Sequence, residues 1–124
     1  MIFAVYGTLK SGFRFHSALK DSKFLGEFVT KPEYTMYSLS GGSFPAIVQT
    51  GDTPIQTELY EIEDHLIVDH LYGIEGYIGP ENPNNLYDLK QIETPFGEAN
   101  IFVFGNPKRL ESYELPVIKE GIWK

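Results

Sequence analysis

The sequence predicts an α+β fold: a mostly-β domain with about two helices, whose antiparallel hairpins suit closure into a small barrel. Three observations carry that expectation. Short apolar or alternating runs recur along the chain, each bounded by Gly, Pro, Asp or Ser turn signals. Aromatic residues make up 15% of the 124 positions, and flat side chains with two torsions suit strands and a stacked core. Helical periodicity is confined to two segments.

In chain order, Ile2–Tyr6 is an apolar run stopped by Gly7-Thr8 and reads as a buried strand. Phe13–Lys20, just after Gly12, is the weaker of the two candidate helices. Phe24–Thr30 alternates loosely up to Pro32, and Tyr34–Leu39 alternates up to the break at Ser40-Gly41-Gly42-Ser43. Phe44–Thr50 follows, with Gly51-Asp52 read as a hairpin turn. Ile55–Ile62 places Ile55, Thr57, Leu59 and Glu61 on one side and Gln56, Glu58, Tyr60 and Ile62 on the other. Glu63–Gly73 is the clearer helix, with Asp64 as N-cap, an apolar stripe of Leu66, Ile67, Leu71 and Ile74, and Gly73 or Gly76 as its stop. Pro80–Asn85 lacks any period and reads as a surface loop. Leu86–Thr94 and Ala99–Phe104, joined through Pro95-Phe96-Gly97-Glu98, read as a last hairpin. No repeat or linker interrupts this pattern, so residues 1–124 are expected to form one domain.

Composition removes several kinds of chemistry. The chain has no cysteine, which excludes disulfides, thiolate zinc sites, iron–sulfur clusters and cysteine nucleophiles. A net charge of −7 lacks the basic footprint that phosphate backbones require, so no nucleic-acid partner is expected. The opening apolar run of Met1–Tyr6 is too short for a signal-peptide core or a membrane span, so the expected location is cytoplasmic with no membrane partner. Composition and spacing leave the oligomeric state open.

The side chains that could carry chemistry are few. His65 and His70 are five residues apart on the expected helix, roughly 140° of rotation, and so do not share a face as zinc ligands would. His16 has no neighbouring carboxylate, and no metal is expected. Glu61, Glu63 and Asp64 gather at a helix start, where the dipole favours negative charge, and read as structural. Gly41-Gly42-Ser43-Phe44-Pro45 lacks the last glycine of a nucleophile elbow and reads as a turn. Gly7-Thr-Leu-Lys-Ser-Gly12 has the two glycines of a phosphate-binding loop, but Phe13-Arg14 stand where Lys and Ser or Thr belong. A strand that ends in such a turn can still present unpaired N–H groups to a carboxylate or oxyanion, the alternative being an ordinary turn. Glu75, between Ile74 and Gly76 at the end of an apolar helix face, is either an exposed helix-end residue or a half-buried acid with a raised pKa. The second state is what a general base at neutral pH needs.

Taken together, Val5-Tyr6-Gly7-Thr8-Leu9-Lys10-Ser11-Gly12, Phe44-Pro45-Ala46-Ile47-Val48, Glu58-Leu59-Tyr60-Glu61-Ile62 and Ile74-Glu75-Gly76-Tyr77 resemble, in this order, the γ-glutamylcyclotransferase-like family, including its AIG2-like and γ-glutamylamine cyclotransferase members. The ending Gly121-Ile122-Trp123 resembles the family's Gly-Asp-Trp tail, so the likeness spans nearly the whole chain. The resemblance implies a small mixed, mostly antiparallel β-barrel with about two flanking helices, a cofactor-free cavity and a small-molecule γ-glutamyl substrate. It also implies that Tyr6, Gly7, Thr8 and Leu9 bind the γ-glutamyl group, partly through main-chain amides, and that Glu75 is the acid/base. The implied reaction is a lyase-type cyclisation to 5-oxoproline in which the substrate's own α-amine is the nucleophile. This chain departs from the family pattern at Phe15, Tyr72, Leu89 and Phe104, positions that bear on the pocket wall. A descendant that binds but does not turn over, or an interaction domain on the same scaffold, is the alternative.

Overall fold

The computed structural model describes residues 1–111 and 115–124. Its elements run β1 (Ile2–Val5), a 3₁₀ turn (His16–Leu19), β2 (Lys23–Val29), β3 (Tyr34–Leu39), β4 (Phe44–Thr53), β5 (Gln56–Glu61), α1 (His65–Ile74), β6 (Tyr87–Thr94), β7 (Gly97–Phe104) and α2 (Pro107–Glu111). Five strands form one mixed sheet in the order β2-β5-β1-β7-β6, and β3 and β4 form a separate antiparallel ribbon. β1 runs antiparallel to β5 and parallel to β7, so the first strand of the chain lies in the middle of the sheet.

That central position explains why Ile2–Val5 reads as continuously apolar, since both of its faces are covered. Phe3 and Val5 enter one core with Tyr60, Phe102 and the α1 residues Val68 and Leu71. Ala4 and Tyr6 enter a second core with Leu59, Ile101 and the ribbon residues Met36 and Ile47. β5 and the residues that flank it divide in the same way: Ile55 and Leu59 lie in the second core, Tyr60 and Ile62 in the first.

The sheet does not close into a barrel. Closure requires its two edge strands to hydrogen-bond, and here β2 and β6 remain separate edges, with β3 and β4 outside the sheet. What crosses the gap is a side chain. The register shifts between Phe24 and Gly26 of β2, and a Cβ built at Gly26 would lie 3.8 Å from the Phe96 ring of the β6–β7 turn.

Three further expectations are corrected. Gly51-Asp52 is not a hairpin turn: β4 continues to Thr53, and pairing with β3 jumps from Thr35↔Val48 to Tyr34↔Thr53. Gly51 lies so close to the Tyr34 carbonyl that a Cβ would sit 2.5 Å from it. Phe13–Lys20 is helical only over His16–Leu19, because Phe15 N–H donates back to Thr8 O at 2.9 Å and turns the chain instead of extending a helix. On α1, Asp64 caps as expected, accepting from Leu66 N–H at 2.9 Å, but Leu66 is 74% exposed. It lies about 140° around the helix from Leu71, so the buried stripe is Ile67, Val68, Leu71 and Ile74. The unexpected α2 begins at Pro107, a residue suited to the first helical position, directly after Asn106. Among the described residues no helix is long and apolar enough to cross a membrane.

Candidate active site

Where β1 ends, the chain turns sharply and spends its carbonyls on itself. Lys10 N–H donates to Gly7 O at 3.0 Å and Phe15 N–H to Thr8 O at 2.9 Å. His16 Nδ1 donates to Leu9 O at 2.9 Å, which fixes its tautomer. Outer ties hold the loop from both sides. Ser11 N–H donates to Glu58 Oε1 at 2.8 Å, and Lys10 Nζ donates to Trp123 O at 2.9 Å, joining the loop to the C-terminal segment. Among the described residues the N–H groups of Gly7, Thr8 and Leu9 have no acceptor. A turn whose carbonyls are bonded and whose amides are open is a concave donor site.

Gly7 is required by contact. A Cβ there would meet Pro45 Cγ at 2.7 Å and Cδ at 2.9 Å. Pro45 is held in β4, and its carbonyl accepts from the Tyr87 hydroxyl at 2.6 Å. Pro45 and Tyr87 therefore set one wall against which the turn closes. Tyr6 sets another, its hydroxyl donating to Phe102 O at 2.6 Å.

Glu75 comes to the same place from the end of α1. The helix ends in a Schellman arrangement: Tyr77 N–H donates to Tyr72 O at 2.8 Å and Gly76 N–H to Gly73 O at 3.3 Å. Gly76 takes the left-handed conformation this requires, with φ +63. Glu75 is thereby the C-cap, four residues after the buried Leu71 and only about 40° around the helix from it. The carboxyl lands on the buried side. Burial raises its pKa from 4.5 to about 7. Two more circumstances act in the same direction: the negative end of the helix dipole lies here with no basic residue in the last turn, and no protein donor among the described residues bonds the carboxyl. The Tyr6 and Tyr87 hydroxyls are held well above the ordinary phenol range, by burial first and by the neighbouring Glu75 charge among the remaining causes.

Tyr6, Gly7, Thr8, Leu9 and Glu75 all line one cavity of about 220 Å³. The structure thus brings together the N-terminal turn and the helix-end acid singled out in the sequence. It adds Arg14, which the sequence offered only as a mismatch to a phosphate loop, and Tyr87, which lies two residues before the departure at Leu89 and was assigned no role there. Tyr87 heads the alternating strand β6, a pattern that marks it as inward-facing but not toward which cavity. Arg14 sits in an irregular loop that gives no directional signal. His65 and His70 are exposed, and Glu61 faces the N-terminal amine at 3.6 Å. Among the described residues no three His, Asp or Glu side chains gather to hold a metal ion.

A family model described as "Gamma-glutamyl cyclotransferase, AIG2-like" matches residues 3–124. A Vibrio cholerae protein named provisionally as a gamma-glutamylcyclotransferase is 36% identical over 121 residues, which is 96% of this chain and 91% of that protein. Among solved structures, an uncharacterized Pyrococcus horikoshii protein matches with a TM-score of 0.75 at 28% identity, over 99% of this chain and 89% of that one. A mouse AIG2-like protein matches in fold alone, with a TM-score of 0.65 at 17% identity, over 95% and 85% of the two chains.

Proposed function

The chain belongs to the AIG2-like γ-glutamyl cyclotransferase family, and from that premise we propose that residues 1–124 act as a single-domain enzyme cyclising a γ-glutamyl group to 5-oxoproline. The observation that carries the reading is that Glu75, its pKa raised to about 7, lines the same cavity as the open amides of the Tyr6–Leu9 turn.

The reaction is an isomerising split that consumes no water. The substrate's α-amine nitrogen attacks its own γ-carbonyl carbon, and a new C–N bond closes the five-membered ring. Glu75 takes a proton from the attacking nitrogen and returns it to the departing nitrogen as the old C–N bond breaks. An acid whose pKa lies near neutrality is matched to both halves of that transfer. The N–H groups of Gly7, Thr8 and Leu9 are suited to hold substrate oxygens, including charge developing on the γ-carbonyl oxygen. The remaining requirement is a bent substrate, and holding an amine against its own carbonyl is the kind of positioning that a rigid wall such as Tyr6, Pro45 and Tyr87 supplies.

Glu75→Gln is the direct test. Release of 5-oxoproline from γ-glutamyl dipeptides should fall by about 10²- to 10⁴-fold, the usual contribution of a positioned acid/base, while the circular dichroism spectrum is unchanged. A folded Glu75→Gln protein with full activity overturns the assignment. A wild-type protein that retains γ-glutamyl compounds without releasing 5-oxoproline is a binding domain instead.

A further inference from the structure

The cavity has an inner end and a mouth of different chemistry. Glu75 and the buried Tyr6 lie at the inner end, and the exposed Arg14 and Phe15 lie at the mouth. Arg14 is the single cation among the residues that line the cavity. Its position is held on two sides: one N–H donates to Ser43 O at 3.1 Å, and its guanidinium lies 5.0 Å from the centre of the Phe15 ring. In a chain with seventeen Asp and Glu, no carboxylate among the described residues pairs with it. A guanidinium has five N–H donors, so the bond to Ser43 leaves four, in a planar fork that matches a carboxylate. An arginine stacked and tethered in advance also loses less freedom on binding than a solvated one.

The size of the cavity says which part of a substrate reaches this fork. At about 220 Å³ it is smaller than the roughly 300 Å³ at which drug-sized sites begin, so it has room for the γ-glutamyl group at its inner end, and a leaving group extends from there toward the mouth. The γ-glutamyl group's own carboxylate is attached to the carbon bearing the attacking amine. It must therefore stay at the inner end, with the amine beside Glu75. The carboxylate left for Arg14 is one on the leaving group.

We propose that Arg14 determines leaving-group specificity, binding a carboxylate next to the scissile nitrogen, so that γ-glutamyl amino acids are preferred over γ-glutamyl amines. The proposal rests on the cyclotransferase reading above and adds to it the chemistry of the group released.

The test compares γ-glutamylalanine with γ-glutamylethylamide, which differ only by that carboxylate, in wild-type, Arg14→Gln and Arg14→Lys proteins. Wild type should favour γ-glutamylalanine about 5- to 10-fold in kcat/KM, the scale of a charge-assisted contact at a partly solvated site. Arg14→Gln should abolish the preference by raising KM for γ-glutamylalanine alone, with kcat unchanged, and Arg14→Lys should retain part of it. Equal use of both substrates by wild type, or an equal loss for both in Arg14→Gln, overturns the proposal; the second result would place Arg14 on the γ-glutamyl carboxylate. Dissociation constants for the same two compounds in a Glu75→Gln background, with and without Arg14→Gln, separate this proposal from the lyase reading. Tighter γ-glutamylalanine binding that depends on Arg14 supports it even if wild type releases no 5-oxoproline, a result that would overturn only the lyase reading. Binding of neither compound overturns both.

Discussion

Replacing Glu75 by Gln keeps the shape of the protonated acid and removes its ability to ionise, so its effect on stability should depend on pH with a defined sign. The folded pKa of about 7 lies above the ordinary value of 4.5. Folding is therefore favoured while the group is protonated. That stability is fully present below pH 4.5 and is lost as pH rises through 7. At 1.36 kcal/mol per pKa unit the full loss amounts to roughly 3 kcal/mol, and part of the residue is solvent-accessible, so the expected value is roughly 2–3 kcal/mol. Glu75→Gln avoids this loss. Wild type and variant should be equally stable near pH 4. By pH 8 the variant should lead by that amount, or by roughly 10 °C in Tm for a domain of this size. Urea melts of both proteins at unit steps from pH 4 to pH 8 measure the difference directly, and all other titrating groups cancel in it. A stability difference that does not vary with pH, or a variant less stable than wild type at pH 8, would refute the buried-acid argument.

Two further substitutions test the walls. Gly7→Ala places a methyl 2.7 Å from Pro45 Cγ, on a ring held by β4 and by Tyr87. It should cost about 1–3 kcal/mol by overpacking and lower kcat/KM, read by thermal melts and 5-oxoproline release; wild-type values in both would refute the close approach. Tyr87→Phe removes the donor to Pro45 O at 2.6 Å and should cost about 1–3 kcal/mol, because a buried carbonyl is left unpaired. Its pH–rate profile should keep the wild-type midpoint near 7, since the phenol does not donate to Glu75. An upward shift of a full unit would show that it does, because losing a donor to the carboxylate destabilises the ionised form.

The elements that local chemistry defines were legible in the sequence. Asp64 before an apolar period marks the start of α1, and Gly76 marks its end. The hairpin through Pro95-Phe96 follows from its turn residues. Legibility failed where distant segments decide. Whether the edges of a sheet meet depends on the twist of strands far apart in the chain, so open and closed sheets share one alternation pattern. Gly51 reads as a turn locally, yet it is the Tyr34 carbonyl, in another strand, that demands a glycine there. The site shows the same division. Glu75 could be placed on the buried face by counting four residues from Leu71, whereas Tyr87 reaches Pro45 only through the pairing of β6 on β7 and of β7 on β1.

Burial raises the pKa of Glu75, and the direction in which its neighbours point leaves that effect unopposed. Two phenols lie near enough for its charge to act on them. Were either to donate to the carboxylate, the ionised form would be stabilised and the pKa would fall. Instead Tyr6 is committed to Phe102 O and Tyr87 to Pro45 O, each at 2.6 Å. The carboxyl is therefore surrounded by polar residues that offer it nothing, and its loss of hydration is not compensated. Those two bonds also fix the wall beside the open amides of Gly7, Thr8 and Leu9. One arrangement thus meets two requirements of an intramolecular aminolysis. It keeps an acid able to exchange a proton near pH 7, and it leaves backbone donors free to hold substrate oxygens in the proposed cyclisation.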